Sequence, residues 1–496
     1  ISRLKSQHKQ IKIKMCVMHI FFKYNVLRVF ALHYISFDKS FIKLYNFNIM
    51  YCEFLYYFIP GGFMEIQRNL YLQKLIACQH DGQIKVITGL RRCGKSFLLF
   101  HLFKNYLLEN GIADQQIITF ELDQMKDIQY RNPIELSKKI HNIVDNTAQQ
   151  YYLFIDEVQM SDEVNNPYNP KGKKISFYDM LNDLKELSNL DIYVTGSNSK
   201  MLSNDILTEF RGRSDEIKIH PFSFSEYYSF VGGDKEEAFD NYSFYGGMPF
   251  LLTKQDETSK IEYLENLFKE VYIQDIVERK HIEREDILSS IIDLLCSSVG
   301  SLTNPSKITK AINSKQQRSG KDIVYLPTIN KYINFLEDSF LFKEALRFDV
   351  KGKSYLDFPK KYYCEDIGLR NARTGFRQIE MPHIMENILY NELIIRGFKI
   401  DVGVVYENIK TEKGNYRKVA REIDFIIQKG MKKYYIQSAY AMENEEKVYS
   451  ESRSLNITGD SFPKIIVRRD IRKRFYDENG ILNIGLIDFL LSDNVL

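Results

Sequence analysis

The sequence predicts an α/β chain whose first organising unit is a strand, a glycine-rich loop and a helix, and two further patterns extend that reading. Residues 89–96, "GLRRCGKS", separate a β-rich apolar run from a helical one. Residues 151–156, "YYLFID", form a buried-strand run that ends in a pair of carboxylates, Asp156 and Glu157. Near the C-terminus a helical stretch at 382–397 precedes two strand runs joined at Lys429-Gly430. Strands that alternate with helices point to sheets with helices packed on their faces. At 496 residues the chain is long enough for two to four domains, and 27% charged against 44% hydrophobic residues is a globular balance rather than a disordered one.

The net charge of +3 hides an asymmetry. Residues 1–63 hold nine Lys and Arg against Asp38 and Glu53, while the remainder carries 59 basic against 63 acidic residues. A mildly acidic body has no global nucleic-acid footprint, so such binding is expected only from a local patch. The six cysteines, Cys16, Cys52, Cys78, Cys93, Cys296 and Cys364, have no CxxC spacing. They argue against a zinc site or a disulfide framework and fit thiols in a reducing compartment. Residues 1–63 are rich in Phe, Tyr, Ile and Lys without a helical or strand period, as AT-rich non-coding DNA reads in translation. Gly61-Gly62 can be encoded by a purine-rich ribosome-binding sequence ahead of Met64, so 1–63 is expected to be upstream translation and not a domain. Its apolar stretch is interrupted by Lys23, Asn25, Arg28 and His33, which argues against a span or a signal peptide. No membrane contact is expected, and the expected location is the cytoplasm.

The loop at 89–96 sits where a phosphate cradle needs it, because 84–88 is β-rich and 96–109 carries apolar residues at helical spacing before Gly111. Gly89, Gly94, Lys95 and Ser96 fit G-x-x-x-x-G-K-[ST]. Glycines let main-chain N–H groups turn in on phosphates, and the helix N-terminus adds positive potential. Lys95 then reaches the β and γ phosphates and Ser96 holds Mg²⁺. The expected ATP cradle is Gly89, Leu90, Arg91, Arg92, Cys93, Gly94, Lys95, Ser96 and Phe97. A chance match in a loop is the alternative, and the flanking strand and helix oppose it. Hydrolysis also needs a carboxylate for the metal and another for water. Asp156 is expected to hold Mg²⁺ with Ser96, and Glu157 to orient the attacking water. On its own an acidic pair after a strand is a solvated turn.

A third strand run, "DIYVTGSNSKML", brings Thr195, Ser197 and Asn198 to the same edge. Asn198 is the candidate contact for the γ-phosphate or the water, and an Asn in a turn before a helix fits the pattern equally. Arg211 and Arg213 precede a fourth strand run at 216–220. An arginine there stabilises transferring phosphate, in cis or in a neighbouring subunit, or else makes a structural ion pair.

Taken in order, "GLRRCGKS", "FIDEVQ", "TGSNSKML", "RGR" followed by "HPFSFSEYY", and "YGGMPFLL" at 245–252 resemble the motifs of the prokaryotic AAA+-like ATPases of the archaeal-type family. Those proteins carry a C-terminal domain of restriction-endonuclease-like fold. The resemblance covers nearly everything after Met64. It implies a P-loop ATPase core over 64–225 with AAA+-type strand order and Arg213 as the family's "GR" arginine. It also implies a helical segment near the nucleotide that contains Gly246, Gly247 and Pro249.

Residues 226–284 are expected to form a helical lid or connector, with Ile261, Leu264, Leu267, Phe268, Val271 and Ile276 on one face. Residues 285–372 give three helical patterns and a hairpin around Gly352, a winged-helix-like order. Residues 303–353 hold ten basic and five acidic residues, with Lys307, Lys310 and Lys331 placed to meet DNA phosphates if the third helix enters a groove. An interdomain wedge with a solvated basic face is the equal alternative. Residues 373–496 resemble the PD-(D/E)xK nuclease core, in which a helix Glu, a strand Asp and an (Asp/Glu)-x-Lys on the next strand bind Mg²⁺ and activate water. Glu386 and Asp424 match, but Gln437-Ser438-Ala439 stands in place of the last motif. Glu386, Asp424 and Gln437 are therefore expected to be a vestigial site without cleavage, with Lys432 and Lys433 the nearest lysines on that strand.

The expected function is ATP binding and hydrolysis by a core whose nucleotide state controls the winged-helix and nuclease-like module. The alternatives are an ATP-regulated, Mg²⁺-dependent DNA nuclease and a nucleotide-switched scaffold for a protein partner. An oligomer is compatible with all three.

Overall fold

The computed structural model describes residues 56–59, 62–65, 68–145, 147–196, 214–410, 415–442, 444–492 and 494–496. All of these belong to the second of the chain's two units, Leu55–Leu496. The expectation that 1–63 is upstream translation falls largely outside the described residues. What is described there is a hairpin of β1 (Tyr56–Ile59) and β2 (Gly62–Glu65), in which Met64 pairs with Tyr57.

After α1 (Asn69–Ala77) the chain enters β3 (Ile84–Gly89), turns through the glycine-rich loop and starts a continuous helix α2 over 95–109, whose middle, Leu98–Phe103, is π-wound. Next come β4 (Ile117–Glu121), α3 (Pro133–Val144), β5 (Tyr151–Asp156), α4 (Phe177–Leu184), β6 (Leu190–Thr195) and β7 (Ser214–Ile219). Asn132 starts α3 by accepting from the Ile134 N–H, and proline takes the first helical position, where no N–H is needed. The five strands are parallel in the order β4-β5-β6-β3-β7. Every residue of β3, β5 and β6 is buried, as a sheet covered on both faces requires. Because all strands run the same way, Gly89, Asp156 and Thr195 reach one edge of the sheet together.

Helices α5 (Phe224–Val231) and α6 (Lys235–Tyr245) follow, then α7 over 257–280. A capping box starts α5, in which Ser223 and Glu226 each accept from the other's main-chain N–H. Leu264, Leu267, Phe268, Tyr272 and Ile276 of α7 pack in one continuous core with Phe97–Phe103 of α2 and with Ile287–Leu295 of α8 (Glu285–Ser297). The expected boundaries at 225/226 and 284/285 therefore lie inside a shared core. Gly246 and Gly247 stand against Asp366 and Phe222. The Gly247 N–H donates to Asp366, and Pro249–Thr253 is a short 3₁₀ turn.

Helices α9 (Pro305–Arg318) and α10 (Leu326–Asp338) complete the three-helix pattern, and β8 (Phe342–Asp349) and β9 (Ser354–Cys364) form the expected hairpin. The hairpin is not the free wing of a separate 285–372 domain, because β8 pairs in parallel with β10 (Lys399–Lys410) through Arg347–Asp349. After α11 (Ile367–Arg373) and α12 (Met381–Ile395), β10 is followed by β11 (Tyr416–Lys429), β12 (Lys432–Ala439), α13 (Glu445–Asn456), β13 (Lys464–Arg468), β14 (Phe475–Tyr476), β15 (Leu482–Gly485) and α14 (Leu486–Leu491). The result is one eight-stranded mixed sheet in the order β14-β15-β13-β12-β11-β10-β8-β9, in which strands from both sides of the expected cut at 372/373 take part. Phe224, Phe239 and Tyr242 of α5 and α6 join α12 in the core on one face of that sheet, so the lid segment is shared between the two sheets.

Candidate active site at the P-loop

The loop between β3 and α2 has little steric freedom. Gly89 has φ 140°, and a Cβ on it would lie 2.1 Å from the Ile219 carbonyl oxygen of β7, so no side chain fits. Gly94, at φ 98°, turns the chain into α2. Lys95 is 4% exposed, and its Nζ donates to the carbonyl oxygens of Gly89 and Leu90 at 3.1 Å each.

Across the sheet edge, Asp156 accepts hydrogen bonds from the hydroxyls of Thr195 and Ser96. Burial, with the charge of Glu157 beside it, pushes the Asp156 carboxyl up to about 7 against those hydroxyls and Lys95. A buried carboxylate so short of positive charge, next to a serine hydroxyl, is a donor set suited to a hard divalent cation. Glu157 has a left-handed backbone at φ 49°, and its N–H donates to Thr195 Oγ1 at 3.1 Å. Thr195 thus bridges the two acidic residues, and the Glu157 carboxylate accepts from Gln159. Asn198 and Arg213, with Ser197 and Arg211, lie outside the described residues.

Residues 81–228, which contain all of these groups, match the family model described as an AAA domain, and residues 236–380 match a domain of unknown function, DUF8612. An uncharacterized protein of Haemophilus influenzae is 32% identical over 440 residues, covering 86% of this chain and 99% of its own. The chain belongs to that protein's family. Uncharacterized protein MJ1544 of Methanocaldococcus jannaschii is 27% identical over 394 residues, 75% of this chain and 78% of its own. Among solved structures, a Walker-type ATPase of Pyrococcus abyssi covers 62% of this chain and 96% of its own at 15% identity and a TM-score of 0.43. The Orc1 protein of Aeropyrum pernix, solved in complex with DNA, covers 64% and 94% at 10% identity and a TM-score of 0.26. At those scores neither bears on function. The family model makes 81–228 an AAA-type ATPase domain, which supports nucleotide binding and hydrolysis. It leaves the nuclease-like part of the expected resemblance without support.

The loop beside the AAA-domain match is also held by residues that the sequence reading missed. From α7, the Tyr272 hydroxyl donates to the Arg91 carbonyl oxygen at 2.8 Å, and Asp275 pairs with Arg91 at 2.8 Å and Arg279 at 3.0 Å. From ahead of α1, the fully buried Arg68 donates to the carbonyl oxygens of Cys93 and His220 at 2.8 Å each and pairs with Glu226 at 3.1 Å. His220 hydrogen bonds Glu365, which Lys218 also meets at 3.4 Å, so the end of β7 is tied to the start of α11. Apart from the Asp275–Arg279 pair within α7, none of these contacts has a local sequence signature, because each joins residues far apart in the chain.

The residues expected in the C-terminal site do converge. Glu386 on α12 and Asp424 on β11 are joined by a lysine the sequence reading did not find, Lys361 of β9, which is 2% exposed. Its Nζ lies 2.8 Å from Glu386, 2.9 Å from Glu422 and 3.3 Å from Asp424. Tyr363 donates to Glu386 at 2.6 Å. Gln437 accepts from the Asp424 N–H at 3.4 Å and donates to Glu451 at 3.1 Å, while Ala439 offers no donor. Lys432 and Lys433 lie elsewhere, the first near the Leu496 carbonyl oxygen and the second over the rings of Tyr435 and Phe462. The available signal was a lysine at the head of the apolar run "YYC" at 362–364, where strand burial continues without a break.

Proposed function

We propose that the chain binds ATP in the 89–97 loop, hydrolyses it, and uses its nucleotide state to change how the 226–284 segment and the C-terminal sheet pack. The observation that carries this reading is the meeting of Lys95, Ser96, Asp156 and Thr195 at the ends of three neighbouring parallel strands. Main-chain N–H groups of 89–96 bind phosphate oxygens, and Lys95 turns from the Gly89 and Leu90 carbonyls to the β and γ phosphates. Glu157 orients a water and takes its proton as the water oxygen bonds to the γ-phosphorus. The bond from that phosphorus to the β–γ bridging oxygen breaks, and ADP and phosphate leave. Mg²⁺, held by Ser96 and Asp156, supplies positive charge for the phosphate oxygens. Gln159 and Thr195 keep the Glu157 carboxylate and backbone in place. Asn198 is assigned to the attacking water and Arg213 to the transferring phosphate.

Two observations support control of the distal part. Helix α7 holds the loop through Tyr272 and Asp275, and Arg68 and His220 run from the Cys93 carbonyl to Glu365. A change in the loop therefore reaches both neighbours by direct bonds. A DNA contact is favoured by α9, whose exposed Lys307, Lys310, Lys315 and Arg318 share the helix with no acidic residue, and by the exposed Lys331 of α10.

The test is steady-state ATP hydrolysis with and without duplex DNA. Lys95→Ala is expected to lose nucleotide binding. Glu157→Gln is expected to keep binding and lose turnover by about 10²-fold or more. Parent-like hydrolysis by Lys95→Ala would refute the assignment, and a rate indifferent to DNA at low salt would favour a protein partner.

A further inference from the structure

The nuclease-like reading of residues 373–496 implies a divalent cation between Glu386 and Asp424, and the side chains present do not fit one. An ammonium group has three N–H donors, and Lys361 has three carboxylate partners, Glu386, Glu422 and Asp424. The other donors are committed as well. Asp424 Oδ2 accepts from the Ser438 N–H at 2.9 Å, and Glu386 Oε1 also accepts from Tyr363. The Gln437 carbonyl oxygen, the neutral group that could have completed a ligand set, faces the Asp424 N–H. Gly300 closes against the Glu386 carboxylate so tightly that a Cβ there would lie 3.2 Å from it. A metal within the 2.0–2.6 Å that oxygen ligands impose on Glu386 and Asp424 would stand against the Lys361 ammonium, charge against charge.

We propose that Lys361 is the resident cation of this cluster, so that the parent site takes no Mg²⁺ or Mn²⁺ and becomes a divalent-cation site only when the lysine is removed. The topology supplies the reason. The β8–β9 hairpin belongs to the same sheet as β11, and Lys361 lies opposite the small Ala345 of β8, which leaves the long side chain room to reach Glu386. Burial alone would pull the Lys361 pKa down, but Glu386, Asp424 and Glu422 outweigh it and hold the ammonium charged. Two buried carboxylates, Glu386 and Asp424, with the half-buried Glu422 beside them require positive charge, and a compact ammonium with three rotatable donors supplies it without an ion from solution. Glu422 Oε2, a buried oxygen without a hydrogen-bond partner among the described residues, is the place where the cluster remains short of positive charge. The inference does not depend on the ATPase reading.

The test is Mn²⁺ binding to the full chain without nucleotide, followed by electron paramagnetic resonance. It compares the parent, Asp424→Asn, Lys361→Met and the double variant Lys361→Met with Asp424→Asn. Parent and Asp424→Asn are expected to bind alike, whereas Lys361→Met gains one Mn²⁺ per chain at about 1 mM or below. Its melting temperature should rise on adding Mn²⁺, and both effects should vanish in the double variant. If Lys361→Met is unfolded in metal-free buffer, refolding in Mn²⁺ supports the proposal. The comparison of parent with Asp424→Asn stands without that variant. Parent Mn²⁺ binding, or DNA cleavage, that is lost in Asp424→Asn overturns it and makes Lys361 the lysine of a working nuclease. A folded Lys361→Met that binds no Mn²⁺ overturns it equally.

Discussion

Lys95 and Lys361 are both buried lysines close to carboxylates, yet they are partnered in opposite ways. Lys95 donates to the main-chain oxygens of Gly89 and Leu90, which leaves Asp156 with hydroxyl partners and a carboxyl pushed up to about 7. Lys361 meets three carboxylates at 2.8 to 3.3 Å. The first arrangement keeps a cation free to turn toward an incoming phosphate and an acid free to take a metal. The second consumes its cation inside the protein. A lysine among acids thus marks opposite chemistry according to whether its N–H groups face the main chain or the carboxylates.

The sharpest test of that difference is stability against activity. Lys361→Met leaves the buried Glu386 and Asp424 and the half-buried Glu422 without their partner and should lower stability by about 3–5 kcal/mol, measured by denaturant unfolding. Lys95→Met loses only two bonds to main-chain oxygens, about 1–2 kcal/mol together, while nucleotide binding disappears. The reverse ranking would break the comparison. A second test sits on the seam between the two sheets. Burial raises the Asp366 carboxyl to about 6 despite N–H donors from Gly247 and Leu369. A raised carboxyl favours the folded state below its unfolded value near 3.8, and that contribution is lost as pH rises through 6. Relative to Asp366→Asn, which keeps one of the two acceptor oxygens and does not titrate, the parent should lose at most about 3 kcal/mol of stability between pH 4 and pH 6 and nothing more above. Melting curves across that range decide it. The smallest effect belongs to Tyr272→Phe, which removes one bond to the Arg91 carbonyl, about 1 kcal/mol, and should raise the KM for ATP by about fivefold or less with kcat nearly unchanged.

The P-loop site was legible because each of its parts is local. Gly89, Gly94, Lys95 and Ser96 fall within eight residues, and Asp156 follows a five-residue apolar strand run, so spacing alone places them between recognisable elements. The C-terminal site was half legible for the same reason. Glu386 sits on a readable helix and Asp424 on a readable strand, but Lys361 reaches them across 25 and 63 residues of sequence, through a hairpin that looked like part of another domain. Arg68, 25 and 152 residues from the Cys93 and His220 carbonyls it binds, was invisible on the same grounds. Pattern reading resolves what the backbone period dictates, and it loses what two distant elements decide together.

The parallel pairing of β8 with β10 has a practical consequence for anyone who would divide the chain. A fragment starting at 373, where sequence pattern invites a cut, would lack β8 and β9 and keep β10 as a raw sheet border. That border offers unpaired N–H and C=O groups along a strand whose centre, Val402–Val405, is apolar. Such a border recruits other strands and precipitates. It would also lose the only ammonium among the described residues that meets Glu386, Glu422 and Asp424 together. Soluble expression of the C-terminal half therefore requires starting ahead of residue 342, with the hairpin intact.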